Sequence, residues 1–230
     1  MSKTDYFYYL FPRRCAVCAR VIRHNAVLCE NCKQELNPIG DKICLRCGLP
    51  KIECECTKYA YHFRGVVSPF INDGAAQRSV YGYKFAKNYD AATFLSTEMS
   101  RVVLKHFSDV DFDCVTAVPM HWSKRYITGF NYVKVLAKKT ATELKLPFKK
   151  LLIKKRRNKT QHTLSSKERF KNVKNTYFAK PNNYKNVLLI DDIKTTGATL
   201  DECARRLMLE GAENVYCVTA VIGSCKTGEG

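Results

Sequence analysis

A chain of 230 residues has room for one substantial core and a small satellite module, but hardly for two full domains. Its 46% hydrophobic and 26% charged content excludes wholesale disorder, and a formal charge of +18 points to an anionic partner or ligand. Apolar runs fall far short of the 18 residues that cross a bilayer, and the aromatic start Tyr6–Phe11 is too short for a signal peptide, so the expected setting is the cytoplasm without membrane insertion.

Eight of the twelve cysteines lie between Cys15 and Cys56, which divides the chain near residue 60 into an expected zinc-binding module, 1–60, and a larger domain, 61–230. Cytosolic thiols are kept reduced, so paired cysteines there read as metal ligands rather than as disulfides. The pairs 15/18, 29/32 and 44/47 recur at intervals of fourteen and fifteen residues, each reading as a metal-binding knuckle. Cys15, Cys18, Cys29 and Cys32, then Cys44, Cys47, Cys54 and Cys56, supply four thiolates to each of two zinc ions. Closed tetrahedra leave no position for water, which makes the ions structural. Sequential pairing is preferred, while interleaved pairing stays open; His24 is read as a surface residue.

From residue 61 the pattern changes to alternating helices and strands. Ala91, Leu95, Met99, Val102 and Val103 share one face of a helix over 88–106, and Cys114–Val118 is a short apolar strand stopped by Pro119. Phe130, Val133, Ala137, Ala141 and Leu144 predict a second helix, Leu151–Ile153 a short strand, and Ser165 with Glu168 a capping box. Residues 145–185 hold fourteen basic side chains against one acid, Glu168. Within them Lys154, Lys155, Arg156, Arg157 and Lys159, with Arg169 behind, suit the tracking of phosphates along a single strand, without base-specific reading. Val187–Ile190, Ala198–Glu210 and Asn214–Ile222 then predict strand, helix and strand, the helix ended by Gly211. Such alternation implies an α/β fold, a parallel sheet with flanking helices, whose ligands bind at the strands' carboxyl ends.

The most informative stretch is Val187–Thr199, a buried strand, two acids, and a hydroxyl-rich turn that opens a helix. A helix N-terminus carries unpaired N–H groups and partial positive charge, and therefore receives phosphate. Lys194, Thr195, Thr196, Gly197, Ala198 and Thr199 form that receptor: hydroxyl donors surround a glycine that lets the phosphate approach. Asp191 and Asp192 at the strand end suit a ribose diol. Together they predict a site for a ribose 5-phosphate group.

This stretch resembles the ribose-phosphate signature of type I phosphoribosyltransferases. With the cysteine-rich head, Leu10-Phe11-Pro12, Val118-Pro119, Gly129-Phe130-Asn131 and the series Gln161, Leu164, Arg169, Asn172-Val173, nearly the whole chain resembles the ComF family of bacterial competence proteins. Thr128 and Tyr132 stand where that family usually shows arginine and glutamine. The resemblance implies a type I phosphoribosyltransferase-like sheet preceded by a zinc-ribbon module, and a role in natural transformation with single-stranded DNA as a partner. DNA-uptake helicase and recombination mediator proteins are further partners it implies. Phosphoribosyl pyrophosphate or a nucleotide would be the ligand, accompanied by Mg²⁺. It further implies catalytic roles for Asp191, Asp192, Lys124 and Arg125, the last two on the pyrophosphate loop 119–125, should transfer occur. The basic run falls where such transferases keep a mobile flap, and Trp122 is read as packing against the hood. A soluble phosphoribosyltransferase acting on a base or amine, without a DNA partner, is the competing reading.

Overall fold

The computed structural model describes residues 12–54, 60–86, 88–120, 129–154, 170 and 173–223. In chain order these form helix α1 (Glu30–Glu35), strands β1 (Gly65–Val67) and β2 (Phe70–Ile71), helices α2 (Gly74–Ala86) and α3 (Tyr89–His106), strand β3 (Cys114–Ala117) and helix α4 (Tyr132–Glu143). Strands β4 (Leu152–Lys154), β5 (Tyr177–Ala179) and β6 (Asn186–Lys194), helix α5 (Ala198–Leu209) and strand β7 (Asn214–Ile222) follow. The main sheet runs β1-β7-β6-β3 with β2 also on β7, and each of its pairs is parallel. Strands β4 and β5 make a separate antiparallel pair.

A parallel sheet is covered on both faces, which is why β6 and β7 read as continuous apolar runs rather than as alternating ones. Side chains still alternate in where they point. Leu188, Ile190, Val218 and Ala220 join the core under α2, α3 and α4, whereas Val187, Leu189, Val215 and Cys217 join the core under α5 and the β4–β5 pair. The predicted stripe of α3 is buried at each named position, and Val133, Ala137 and Ala141 of α4 are buried as expected. Helix α5 closes its side with Leu200, Cys203, Ala204 and Leu207, and stops two residues before Gly211.

Three differences from the sequence reading have physical causes. Helix α2 is unforeseen because its buried face, Ala75, Ala76, Ser79, Val80, Tyr83 and Lys84, is too small and polar to give an apolar period. Strand β6 does not stop at Ile190: Asp191, Ile193 and Lys194 pair onward with Thr219, Val221 and Ile222 of β7. The two acids are therefore held in the sheet and not in the turn. Finally, Cys29 and Cys32 present their thiols from the start of α1 rather than from a turn.

The other two cysteine pairs make matching turns. Ala19 N–H donates to the Cys15 carbonyl (3.0 Å) and Cys15 N–H to that of Arg20 (2.8 Å); Gly48 donates to Cys44 (2.7 Å) and Cys44 to Leu49 (2.8 Å) in the same pattern. Both turns dock on the larger domain. Ser79 Oγ donates to the Ala16 carbonyl (3.0 Å), Asn88 Nδ2 to that of Cys15 (3.0 Å), and Val66 N–H to that of Leu45 (2.7 Å). Ala16 and Ile43 share a core with α3, while Cys47 and Leu49 pack on Ile222.

Candidate functional site

Where β6 runs out, the turn 195–197 opens a small concave pocket lined by Asp191 and by Ile193 through Leu200. Gly197 takes φ +81°, and a Cβ there would lie 3.1 Å from the Tyr61 ring and 3.3 Å from Lys194 Cε. Tyr61 fixes this turn from outside, its hydroxyl donating to the Thr196 carbonyl (3.0 Å) and its ring stacked on Phe63 at 4.6 Å. Within the turn Ala198 N–H donates to Thr196 Oγ1 (3.4 Å), and buried Lys194 donates to the Thr195 carbonyl (3.3 Å). A shaped turn of this kind, at the N-terminus of the twelve-residue α5, can hold a phosphate without reorganising. Of the residues predicted for the ribose-phosphate site, Asp191, Lys194, Thr195, Thr196, Gly197, Ala198 and Thr199 line this pocket, whereas Asp192 does not.

Strand alternation sends the two acids to opposite faces of the sheet. Asp191 lies on the α5 side, where its charge reaches Tyr177, Cys203 and Cys217. Burial, reinforced by Asp192, pushes its carboxyl well above the usual carboxylate range. Asp192 instead ion-pairs with Lys84 from α2, an ammonium that is only 9% exposed and lies 5.0 Å from the centre of the Tyr132 ring. Burial raises the Tyr132 phenol, and the two acids raise it further. On the other side Lys154 Nζ donates to Tyr177 Oη (3.1 Å). The Lys154 ammonium therefore engages the pocket's flank, although the sequence placed it at the head of the basic run. Sequence reading missed Lys84, Tyr132, Tyr61 and Tyr177 as site residues. Only a helix assignment for 74–86 would have flagged a lysine on its buried face.

In the head, the sulfurs of Cys15, Cys18, Cys29 and Cys32 lie within 4.8 Å of one another, as do those of Cys44, Cys47 and Cys54. Cys18 and Cys29 sulfurs are 3.7 Å apart and those of Cys47 and Cys54 3.6 Å, close to the roughly 3.8 Å edge of a tetrahedron with ligands about 2.3 Å from zinc. Four soft thiolates fit the ion, and the grouping is sequential rather than interleaved. Cys56 lies outside the described residues. So do Lys124, Arg125, Trp122, Lys155, Arg156, Arg157, Lys159, Arg169 and the Ser165–Glu168 capping box.

Comparison with known proteins agrees with both halves. A double zinc ribbon domain family model matches residues 7–62, and a phosphoribosyl transferase domain model matches residues 134–229. The DNA utilization protein YhgH of Salmonella typhi is 28% identical over 87% of this chain and 86% of its own length. Competence protein ComFC of Bacillus subtilis is 25% identical over 83% and 82%, and competence protein F of Haemophilus influenzae 31% identical over 45% and 47%. The chain is thus similar to a competence protein of the ComF type over most of its length. The phosphoribosyl transferase model spans the turn at Gly197 and the acids on β6, and the double zinc ribbon model spans both thiolate clusters. Among the described residues no helix is long and apolar enough to cross a membrane.

Proposed function

We propose that this chain is a protein of natural transformation that binds single-stranded DNA and a phosphoribosyl pyrophosphate-type ligand. It is organised as a zinc module over residues 1–60 and a transferase-like domain over 61–230. The observation that carries the ligand half is the pocket at the end of β6, where a preset turn at Gly197 adjoins Asp191. The turn takes the 5-phosphate through Thr195, Thr196, Thr199 and the first N–H groups of α5. Asp192, fixed by Lys84, accepts from the ribose diol, and Asp191, biased to hold a proton, can also donate. The hard carboxylate oxygens suit Mg²⁺ carried in with the ligand, reached directly or through water. Lys124 and Arg125 offset the pyrophosphate charge. If turnover occurs, the C1–O bond to pyrophosphate breaks and an acceptor takes the sugar. The DNA half draws on the basic stretch 154–174 and on the names of the relatives.

Calorimetric titration with Mg²⁺ and phosphoribosyl pyrophosphate tests the ligand half. Saturable binding by the parent chain and none by Asp191→Asn/Asp192→Asn, with thermal stability preserved, is expected. Equal binding by the double variant would remove both acids from the site.

A further inference from the structure

The pocket leaves unexplained an exposed aromatic surface. Among the described residues, the large hydrophobic side chains with exposed aromatic rings are Tyr81 (42%), Phe85 (63%) and Tyr89 (61%), all within nine positions of α2 and the start of α3. Water contact on three large rings in one place is costly unless something covers them. Tyr81 and Phe85 touch one another, and Tyr89 is linked to them through other groups. Phe85 lies 5.8 Å from Tyr81, whose ring centre is 5.7 Å from Lys84 Nζ, and that ammonium is the one paired with Asp192. On the far side Tyr89 lies 6.4 Å from Phe130, which in turn lies 6.4 Å from Tyr132. A run of rings bridged by the Lys84 ammonium thus leads from solvent to Asp192 on β6.

We propose that Tyr81, Phe85 and Tyr89 form a stacking platform for the bases of a single-stranded nucleic acid; this rests on the single-strand binding proposed above and assigns it a place. Chemistry selects the occupant. The exposed apolar groups of this patch are all aromatic, which offers π faces to bases of any sequence. Lys134 and Lys138 are exposed along α4, whose first residue, Tyr132, belongs to the same run of rings. Asp90, the acid next to Tyr89, is already engaged by the Arg14 N–H (3.3 Å). The chain as a whole carries +18. Rings together with exposed lysines match a strand whose bases are unpaired and whose phosphates face outward. A duplex, with its bases stacked inside, has nothing to offer the rings.

The test separates base contacts from phosphate contacts. Zinc-loaded full-length protein is titrated, by fluorescence anisotropy, with a labelled oligothymidine of about twenty nucleotides, its abasic counterpart of equal charge, and a duplex of the same length. The wild type should bind the oligothymidine about tenfold or more tighter than the abasic strand. Tyr81→Ala/Phe85→Ala/Tyr89→Ala should lose most of that preference while keeping its affinity for the abasic strand. Tyr81→Phe/Tyr89→Phe, which keeps the rings, should behave as wild type, so loss in the alanine variant alone is not a failure to fold. Equal wild-type affinity for the oligothymidine and either control overturns the platform while leaving DNA binding intact. Full preference in the alanine variant overturns it too. No binding of any strand by the wild type refutes the single-strand reading and the platform together.

Discussion

Gly197 and Glu202 show how single residues on α5 serve different ends of the site. At Gly197 the backbone is left-handed, and the space a Cβ needs is taken by Tyr61 and Lys194. Gly197→Ala should therefore cost about 1–3 kcal/mol and displace the phosphate turn, measured as a lower melting temperature and at least tenfold weaker ligand binding. Glu202 is buried and accepts from Arg205 (2.8 and 2.9 Å), from Arg206 (3.1 Å) and from the Asn175 N–H (3.0 Å), so it ties the segment before β5 to α5. Burial alone would raise its carboxyl, but these donors outweigh it and hold it below its ordinary value. A depressed acid stabilises the fold above its unfolded pKa and loses that stabilisation as pH falls through the folded one. Glu202→Gln should accordingly cost about 1–2 kcal/mol near neutral pH, a deficit that shrinks below about pH 4. Denaturant melts of both proteins across that range check the sign; a deficit growing toward acid would contradict it.

At the scale of elements, the zinc module is bolted to the sheet rather than tethered to it. Gly48 lets the second knuckle come down on β1 and β7: its φ is +83°, and a Cβ would meet Ile222 Cδ1 at 2.7 Å and the Val66 carbonyl at 3.2 Å. Gly48→Ala should cost about 2–3 kcal/mol, roughly 5–10 °C in melting temperature, with zinc content retained by elemental analysis. Two zinc ions per chain are expected in that measurement, and one would remove the second site. Chelation should lower the melting of the whole chain, because Ala16, Ile43 and Leu49 belong to its shared core. This docking could not be read from the sequence, since Cys15, Ala16 and Leu45 meet Asn88, α2 and β1 through backbone carbonyls that carry no residue-specific signal. Strands β6 and β7 and helices α3, α4 and α5 were legible because each buries a regular apolar set. Helix α2 was not, as its buried face is small or polar, and with it went Lys84. The turn ahead of α5 was legible because a glycine, left-handed in the structure, stands between an apolar strand and a regular apolar helix. The ion pair on Asp192 joins two distant elements and needed the fold.

For the whole molecule, the distribution of charge and the edge of the β6 pocket lead to one prediction: single-stranded DNA and phosphoribosyl pyrophosphate compete for this protein. The basic stretch 154–174 begins at Lys154, whose ammonium already touches Tyr177 on the pocket's flank, and Phe170 within it stacks 6.5 Å from Tyr61, the residue that braces the phosphate turn. A strand held there lies against the same donors that would take the 5-phosphate, and those donors cannot serve two anions at once. DNA affinity should fall steeply with salt, with a log-log slope near −0.7 for each phosphate neutralised on a single strand. Neutralising Lys155, Arg156, Arg157 and Lys159 together should flatten the slope by up to about 3 and leave sequence preference nearly unchanged. Titrating a labelled oligonucleotide at several salt concentrations, with and without saturating Mg²⁺ and phosphoribosyl pyrophosphate at matched ionic strength, decides both points. If the small ligand leaves DNA affinity unchanged, the shared edge is wrong; if the quadruple variant keeps the full slope, the phosphates are held elsewhere, with the exposed lysines of α4 next in line.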